Sequence, residues 1–331
     1  MTDITTLYSL SISARATLNM HSLNNEGGEG NQIQTRMVNI VDAEGVLHNV
    51  NAISGDMYKH IQAEHLFHIA RENRKIPLSL GAAQFNANRI NADPGFIERT
   101  SGMSDADTLD ELLRSCAVSD MEGILVTEGK RSLPRKSVIE FGWIVGVPEK
   151  VQTDSYFHVK YVNEGRTKTQ DSRSAESDSG ANLGQNIFHR PASSGIYAIV
   201  CHLEVARIGF NEITQRYAIP LEDRQQRARA LLESTLYTFL QPNGAMRSTQ
   251  APHIVNLEGV VTISTAPTPA PTVSPLKASY REEILAIQER LTPITGESVQ
   301  VFVFNDLAGL TEIMGWCIAN TQPYEIALRE A

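Results

Sequence analysis

The chain has 331 residues, of which 41% are hydrophobic and 20% are charged, and its formal net charge at pH 7 is −9. This composition is typical of a globular protein, and the length is enough for one elaborated domain or two. An acidic chain is not expected to coat nucleic acid with its whole surface. A local basic groove remains possible, because binding depends on the phosphates actually contacted.

Membrane insertion and secretion are not indicated. No run of ~18 apolar residues is present to span a bilayer, and the first ten residues, MTDITTLYSL, lack the regions of a signal peptide. Cys116, Cys201 and Cys317 form no CxxC pair, and their odd number indicates reduced thiols. We therefore expect a cytoplasmic protein.

A long strand is predicted near the N-terminus. Apolar and polar residues alternate without a slip from Tyr8 to Met20, which predicts a half-buried strand. A loop rich in Asn and Gly follows, and such a loop at a strand end is a usual place for ligand contacts. Its glycines match no nucleotide-binding fingerprint. A short hairpin is predicted next, from Arg36–Val41 and Val46–Ala52.

The next element is a helix that begins after a turn at Ser54 and Gly55 and ends near Asn73. Its start offers backbone N–H groups and the positive end of the helix dipole, with Lys59 and His60 one turn further on. This arrangement suits an anion, most commonly phosphate. The alternative is an ordinary capped helix with a solvated lysine. The residues predicted to share its apolar face are Met57, Tyr58, Ile61, His65, Leu66 and Ile69, with Gln62 off that face.

The remaining elements alternate between helices and strands. Helices are predicted at 104–116, 221–240 and 280–291, and strands at 123–126, 137–145, 151–162, 196–208, 254–263 and 299–304. Residues 165–184 contain almost no apolar side chain, which predicts a mobile hairpin tip on a long arm. The proline-rich stretch Thr265–Pro275 predicts a semi-extended linker.

This order of elements predicts an α+β fold rather than repeated βαβ units. A ferredoxin-like, or RRM-like, sheet with large insertions fits it best. The aromatic stacking motif of RRM domains is absent, so the comparison concerns the fold only.

No catalytic constellation, cofactor motif or metal site is predicted. His60, Glu64 and His68 follow one another at helical spacing, and two such ligands could hold zinc, but a third ligand is not visible. The HExxH motif and the nucleophile motifs are absent. An acidic cluster offers no acid–base pair at a readable spacing; its members are Asp120, Glu122 and Glu128.

Three segments, 10–38, 49–67 and 187–210, resemble the Cas-seven protein of the DevR-type autoregulator branch. That protein is the repeated backbone subunit of type I CRISPR Cascade complexes. The most specific parts are ISGDMYKH at 53–60 and FHRPASSGIYA at 188–198. The resemblance extends from Leu10 to about Ile263.

The resemblance implies an RRM-like palm within residues 1–263. It also implies a helical fingers insertion at 56–122 and a β-hairpin thumb at 150–192. The prolines at 264–275 would then be a linker, and 276–331 a C-terminal α/β extension.

For function, the resemblance implies a non-catalytic protein whose copies stack head to tail along a CRISPR guide RNA in a type I, I-B-like, Cascade complex. Each thumb would kink the guide of its neighbour, and the remaining bases would pair with target DNA in antiviral defence or RNA-guided targeting. The implied partners are subunits of the Cas-five, Cas-eight and Cas-six types, with no membrane.

Residue by residue, the resemblance assigns RNA contacts to the loop after the first strand, the start of the helix and the thumb. These residues are Asn19, Met20 and His21; Ser54, Gly55, Lys59 and His60; and Gln185, Phe188 and Arg190. Charge and loop position add Arg36 and Arg247. Related members can carry a second basic residue one turn after the lysine, where this chain has Ala63, so backbone N–H groups are expected to contribute more.

Two alternatives stay open. A related backbone subunit could cut RNA with a metal bound to an acidic residue of the post-strand loop, for which Glu26 and Glu29 are the candidates. A metallohydrolase built on the His60, Glu64 and His68 helix face is the other.

Overall fold

A computed structural model describes residues 4–24, 27–29, 32–73, 75–127, 131–161, 185–245 and 250–327. Within these ranges the chain forms sixteen β-strands and eight α-helices. The strands are β1 (Thr5–Leu7), β2 (Ser9–His21), β3 (Gly28–Glu29), β4 (Gln32–Ile33), β5 (Met37–Val41), β6 (Leu47–Ile53), β7 (Ile124–Val126), β8 (Leu133–Arg135), β9 (Ile139–Phe141), β10 (Ile144–Tyr161), β11 (Gln185–Leu203), β12 (Phe210–Asn211), β13 (Arg216–Tyr217), β14 (His253–Ser264), β15 (Val299–Phe304) and β16 (Thr321–Pro323). The helices are α1 (Gly55–Glu72), α2 (Leu80–Ala83), α3 (Pro94–Arg99), α4 (Asp105–Ser115), α5 (Ala117–Glu122), α6 (Leu221–Leu240), α7 (Tyr280–Thr295) and α8 (Leu307–Asn320).

One large sheet organises these elements. Its strands lie in the order β15-β14-β2-β11-β10-β6-β5, and every neighbouring pair on this path is antiparallel. The mixed α/β composition and the antiparallel sheet agree with the predicted fold class. No helix in the described ranges is long and apolar enough to cross a membrane.

The predicted first strand is confirmed as β2. Its polar face was expected to be exposed to solvent, but the first part of that face is buried. Ser9, Ser11 and Ser13 are all buried. The reason is that the proline-rich segment passes over this face: Ser11 Oγ donates a hydrogen bond to the Ala270 carbonyl (3.1 Å), and Arg15 Nε donates to the Pro275 carbonyl (2.7 Å). The covering backbone thus supplies an acceptor for the buried Ser11 hydroxyl, whereas the hydroxyls of Ser9 and Ser13 have no hydrogen-bond partner among the described residues.

Helices α1 and α6 pack against each other over the core. α6 has the predicted bounds, and its apolar stripe from Ala228 to Phe239 is buried. On α1, Tyr58 of the predicted apolar face is buried. Gln62 was predicted to lie off that face, but it is fully buried as well. Its amide donates a hydrogen bond to Ser234 Oγ on α6 (2.8 Å), which allows a polar side chain to lie between two helices.

Other predicted elements differ in detail. The hairpin β5–β6, α4 and β14 are confirmed, and the Ser104 side chain caps α4. The strand predicted at 137–145 is divided between β9 and the start of β10. Helix α7 continues to Thr295, with Pro293 inside it. The predicted hairpin tip at 165–184 lies outside the described residues.

The chain after the prolines is joined to the same sheet. β15 pairs with β14 along its whole length, and β16 pairs in parallel with β1. Helix α8 was not predicted: Asp306 caps it by accepting a hydrogen bond from Gly309 N (2.7 Å), and it buries Leu310 and Met314. The division of the chain into palm, linker and extension stays a prediction.

A buried ionic network joins α5 to β8, to α6 and to the backbone at Gly209. The carboxylate of Asp120 on α5 accepts hydrogen bonds from Arg135 Nη2 (2.6 Å), Arg227 Nη1 (2.7 Å) and the Gly209 backbone N–H (3.0 Å). The three side chains are almost completely buried. Since a buried charge is tolerated only when it is paired, each partner depends on the others.

We expect Asp120→Ala to lower the free energy of unfolding by ~3–5 kcal/mol, because it leaves the buried Arg227 guanidinium without a carboxylate and Arg135 with Glu212 alone. Urea unfolding followed by circular dichroism measures this change. The control is Glu283→Ala, which removes an exposed ion pair with Lys277 and should cost less than ~1 kcal/mol. Equal effects in the two variants would contradict the structural role of the network.

Candidate nucleic-acid interface

The start of α1 is fixed by two polar side chains. Ser54 caps the helix, its Oγ accepting a hydrogen bond from Met57 N (3.2 Å). Asn24, in the loop after β2, accepts hydrogen bonds through Oδ1 from both the backbone N–H (3.2 Å) and the Oγ (3.3 Å) of Ser54. Its amide also donates to the Ala52 carbonyl (3.2 Å). The post-strand loop and the helix start, which are separate in sequence, therefore form one unit.

Gly55 brings this helix start into close contact with the sheet. A Cβ at position 55 would lie 2.3 Å from the Phe141 carbonyl oxygen and 3.0 Å from that of Gly142. No side chain fits in such a space. The glycine therefore sets how closely α1 approaches the end of β9.

The end of β2 contains a bulge. Opposite β11 the register shifts between His21, which pairs with Ser193, and Leu18, which pairs with Gly195, so β2 has one extra residue there. Met20 lies in this bulge with φ of +56°, a left-handed conformation that is uncommon for a residue with a side chain. Its N–H donates to Ser194 Oγ (3.0 Å). Bulges redirect side chains, and Met20 is exposed.

His21 points into the molecule. Its ring is 2% exposed and meets the ring of Tyr197 edge-on, with the centroids 4.9 Å apart. Burial lowers the pKa of His21 to about 4, so the imidazole is neutral at physiological pH. In this position the ring is neutral and buried, so it does not attract phosphate by charge. Asn19, its neighbour across the bulge, is half-buried and pairs with His253 of β14.

Lys59 and His60 lie along a cleft of about 360 Å³ between α1, α2 and α5. Lys59 is half-buried, and its pKa is lowered by burial, against the attraction of the nearby Glu122 carboxyl. His60 is exposed, with its ring 5.5 Å from that of Phe85. Arg89 lines the same cleft. The cleft therefore holds two cations, Lys59 and Arg89, together with the carboxyl groups of Asp56 and Glu122.

Arg36 and Arg190 lie on two other elements. Arg36 is exposed at the start of β5, with its guanidinium 5.5 Å from the centre of the half-exposed Trp143 ring, a cation–π contact. Arg190 is half-buried on the ribbon formed by β10 and β11, opposite Tyr156. Phe157 on the same ribbon is 72% exposed, and its ring centroid lies 4.3 Å from that of His189, with the two rings tilted by 48°.

Some predicted residues fall outside the described part of the chain. The backbones of Gln185 and Phe188 belong to β11, but their side chains are not described, and Arg247 lies outside entirely. Glu26 and the side chain of Glu29 are likewise outside. These assignments stay predictions.

Among the described residues, no group of three or more His, Cys, Asp or Glu side chains is placed to hold a metal ion. His68 Nε2 lies 4.0 Å from Glu64 Oε1 on the exposed side of α1. The described residues thus provide a helix start, a bulged strand end and a cleft that contains Lys59 and Arg89, arranged around α1.

Sequence reasoning missed Asn24, Trp143 and Glu122 as members of this region. Asn24 belongs to the Asn- and Gly-rich loop after the first strand, and the composition of that loop already indicated ligand contacts. Trp143 and Glu122 come from distant segments, and nothing local connects them with Arg36 or Lys59.

Comparisons with known proteins agree on one family. Residues 12–285 match a family model described as the CRISPR-associated negative auto-regulator DevR/Csa2. The chain is 25% identical over 272 residues to the CRISPR-associated protein Cas7/Cst2/DevR of Methanocaldococcus jannaschii, covering 79% of this chain and 82% of that protein. It is 25% identical over 275 residues to the CRISPR-associated protein Cas7/Csa2 1 of Saccharolobus solfataricus, covering 80% and 82%.

Solved structures that match are more distant. A chain of a CRISPR RNA-guided surveillance complex aligns at 12% identity with a TM-score of 0.46, covering 94% of this chain and 98% of that one. Csc2 of Thermofilum pendens aligns at 12% identity with a TM-score of 0.37, covering 92% and 80%.

We expect Gly55→Ala to destabilise the fold by ~1–3 kcal/mol, because the added methyl group overlaps the Phe141 carbonyl. Thermal and urea unfolding measure the effect. Gly315→Ala is the matched control, since a Cβ at this helical position meets nothing within 4 Å and should stabilise α8 by up to ~1 kcal/mol. A neutral Gly55→Ala would mean that α1 can move away from β9.

Proposed function

This chain belongs to the DevR/Csa2 family of CRISPR-associated proteins, and on that premise we propose that it is a non-catalytic subunit that binds the backbone of a CRISPR guide RNA. Copies of the chain polymerise head to tail along the guide in a type I, I-B-like, Cascade complex. The guide is thereby presented to target DNA, and subunits of the Cas-five, Cas-eight and Cas-six types complete the complex.

The observation that carries this proposal is the pair of hydrogen bonds from Ser54 to Asn24. They join the bulged end of β2 to the start of α1, and Lys59 follows one turn further along that helix. A helix start combined with a lysine one turn further on suits phosphate oxygens. Phosphate contacts position a strand without reading its sequence, which a guide of variable sequence requires.

An RRM-like palm is supported by the order of the four central strands. β14, β2, β11 and β10 lie side by side and antiparallel. Along the chain, α1 lies between β2 and β10 and α6 lies between β11 and β14. This is the β-α-β-β-α-β order of ferredoxin-like folds.

A thumb is supported by the β10–β11 ribbon. Its pairing continues from Val151 opposite Gly195 to Tyr161 opposite Gln185, beyond the strands that flank it in the sheet. Phe157 is exposed near its base. An exposed aromatic residue on such a ribbon suits stacking on a base.

The experiment that tests this proposal is size-exclusion chromatography of the chain expressed with its guide and partner subunits, with absorbance read at 260 and 280 nm. We expect a large species rich in RNA that shrinks on ribonuclease digestion. An RNA-free monomer under these conditions would overturn the proposal. Metal-dependent cleavage of the bound RNA would overturn its non-catalytic part.

We expect Lys59→Ala to weaken RNA binding by a similar factor for all guide sequences, because the lysine contacts phosphate. The slope of log affinity against log salt concentration should fall by ~0.7, the value for one phosphate of a single strand. Lys277→Ala is the control, since that lysine pairs with Glu283 in the segment that covers the serine face of β2. A loss confined to particular sequences would contradict the phosphate contact.

A further inference from the structure

The cleft beside Lys59 ends at a buried acid that the proposed RNA contact does not use. Glu122, the last residue of α5, is 3% exposed. No group among the described residues lies within hydrogen-bond distance of either oxygen of its carboxyl group. Burial raises the pKa of Glu122 to about 7, although Arg89, Lys59 and the amide of Gln62 act in the opposite direction. A group in this state changes its charge close to physiological pH.

Three titratable side chains face Glu122 from the elements around it. Arg89 is held in place, because its Nη1 donates to the Gly123 carbonyl (2.6 Å). Cys201 on β11 is buried, and burial raises the pKa of its thiol well above the ordinary value, so it carries no charge. Lys59 remains: it lines the same cleft as Glu122 but makes no hydrogen bond to either Glu122 oxygen in the described structure. Lys59 is thus the cation that can move.

We propose that Glu122 is a positioning residue that controls whether Lys59 is available to phosphate. When Glu122 is ionised, it attracts the Lys59 ammonium into the cleft; when Glu122 takes up a proton, the ammonium turns to the surface. This inference rests on the proposed function, because the phosphate in question belongs to the guide RNA. Asp56 and Glu140 also act on Lys59, but both are exposed, so their effect is screened by solvent.

The sign of the pH dependence follows from linkage. A bound phosphate adds negative charge near the cleft and disfavours ionised Glu122, so the complex takes up a proton. Binding that takes up a proton strengthens as pH falls. Between pH 8 and pH 6 the affinity for RNA should therefore rise, by at most about tenfold per pH unit for one proton.

The coupling between the two side chains can be measured without RNA. Acylation of lysine amines, quantified by mass spectrometry, reports how accessible and how deprotonated each amine is. We expect Lys59 to react several-fold faster at pH 8 in Glu122→Gln than in the parent chain, since the variant loses the attracting charge. The exposed Lys136 and Lys150 are internal controls and should not change. Equal Lys59 reactivity in both chains would overturn the coupling.

A second measurement needs no variant, which guards against a folding defect in Glu122→Gln. In the parent chain, the Lys59 rate relative to Lys136 should change between pH 6 and pH 8 as Glu122 ionises. A constant ratio would also overturn the coupling.

The consequence for RNA is tested by a double-mutant cycle with fluorescently labelled guide RNA. Glu122→Gln should tighten binding about two- to tenfold at pH 8 and reduce the pH dependence, whereas in a Lys59→Ala background it should have no effect. An equal gain in both backgrounds would show a general charge effect and overturn the inference. Protonation of His60 would also strengthen RNA binding as pH falls. His60→Ala is therefore the control, and it should retain the pH dependence if Glu122 is the titrating group.

The two proposals fail differently. If the parent chain binds no RNA at any pH, the proposed function falls, and with it the RNA half of this inference. If RNA binds but Lys59 is acylated at the same rate in the parent chain and in Glu122→Gln, only the inference about Glu122 is wrong.

Discussion

The carboxylate of Asp120, buried between two arginines, is the contact on which the arrangement of this molecule depends. It holds α5 to Arg135 of β8 and to Arg227 of α6, and it receives the Gly209 N–H from a third segment. Two residues later α5 provides Glu122, which closes the cleft beside α1. The position of one charge therefore determines both how the helical segment attaches and the shape of the cleft.

Local periodicity was enough to predict the elements whose pattern is uninterrupted. β2, α6 and β15 lie where alternation or a helical stripe placed them. Burial of polar groups could not be predicted in the same way. Ser11 and Gln62 are buried because chain distant in sequence supplies an acceptor or a hydroxyl, and no neighbouring residue carries that information. Helix α8 was missed although Asp306 provides a cap.

In the candidate site, too, features that depend on local sequence could be predicted, and features that depend on distant segments could not. The cap at Ser54 and the cation at Lys59 could be predicted, since both depend on a turn followed by helical spacing. The anchor at Asn24, the burial of His21 and the facing carboxyl of Glu122 depend on the tertiary fold. The resemblance to a family identified which segments matter, but a resemblance assigns positions and not the direction of a side chain. His21 illustrates this, since its ring faces Tyr197.

The cover over the serine face of β2 has a consequence for the order of folding. Ser11 and the backbone carbonyl that accepts its hydrogen bond are 259 residues apart in the chain. The central strand also has β11 and β14 as its two neighbours. During synthesis β2 therefore has open edges and an uncovered face until residues 253–270 have left the ribosome. Contacts so distant in sequence slow folding and prolong the exposure of unpaired strands, so the core around β2 closes only after those residues have been made.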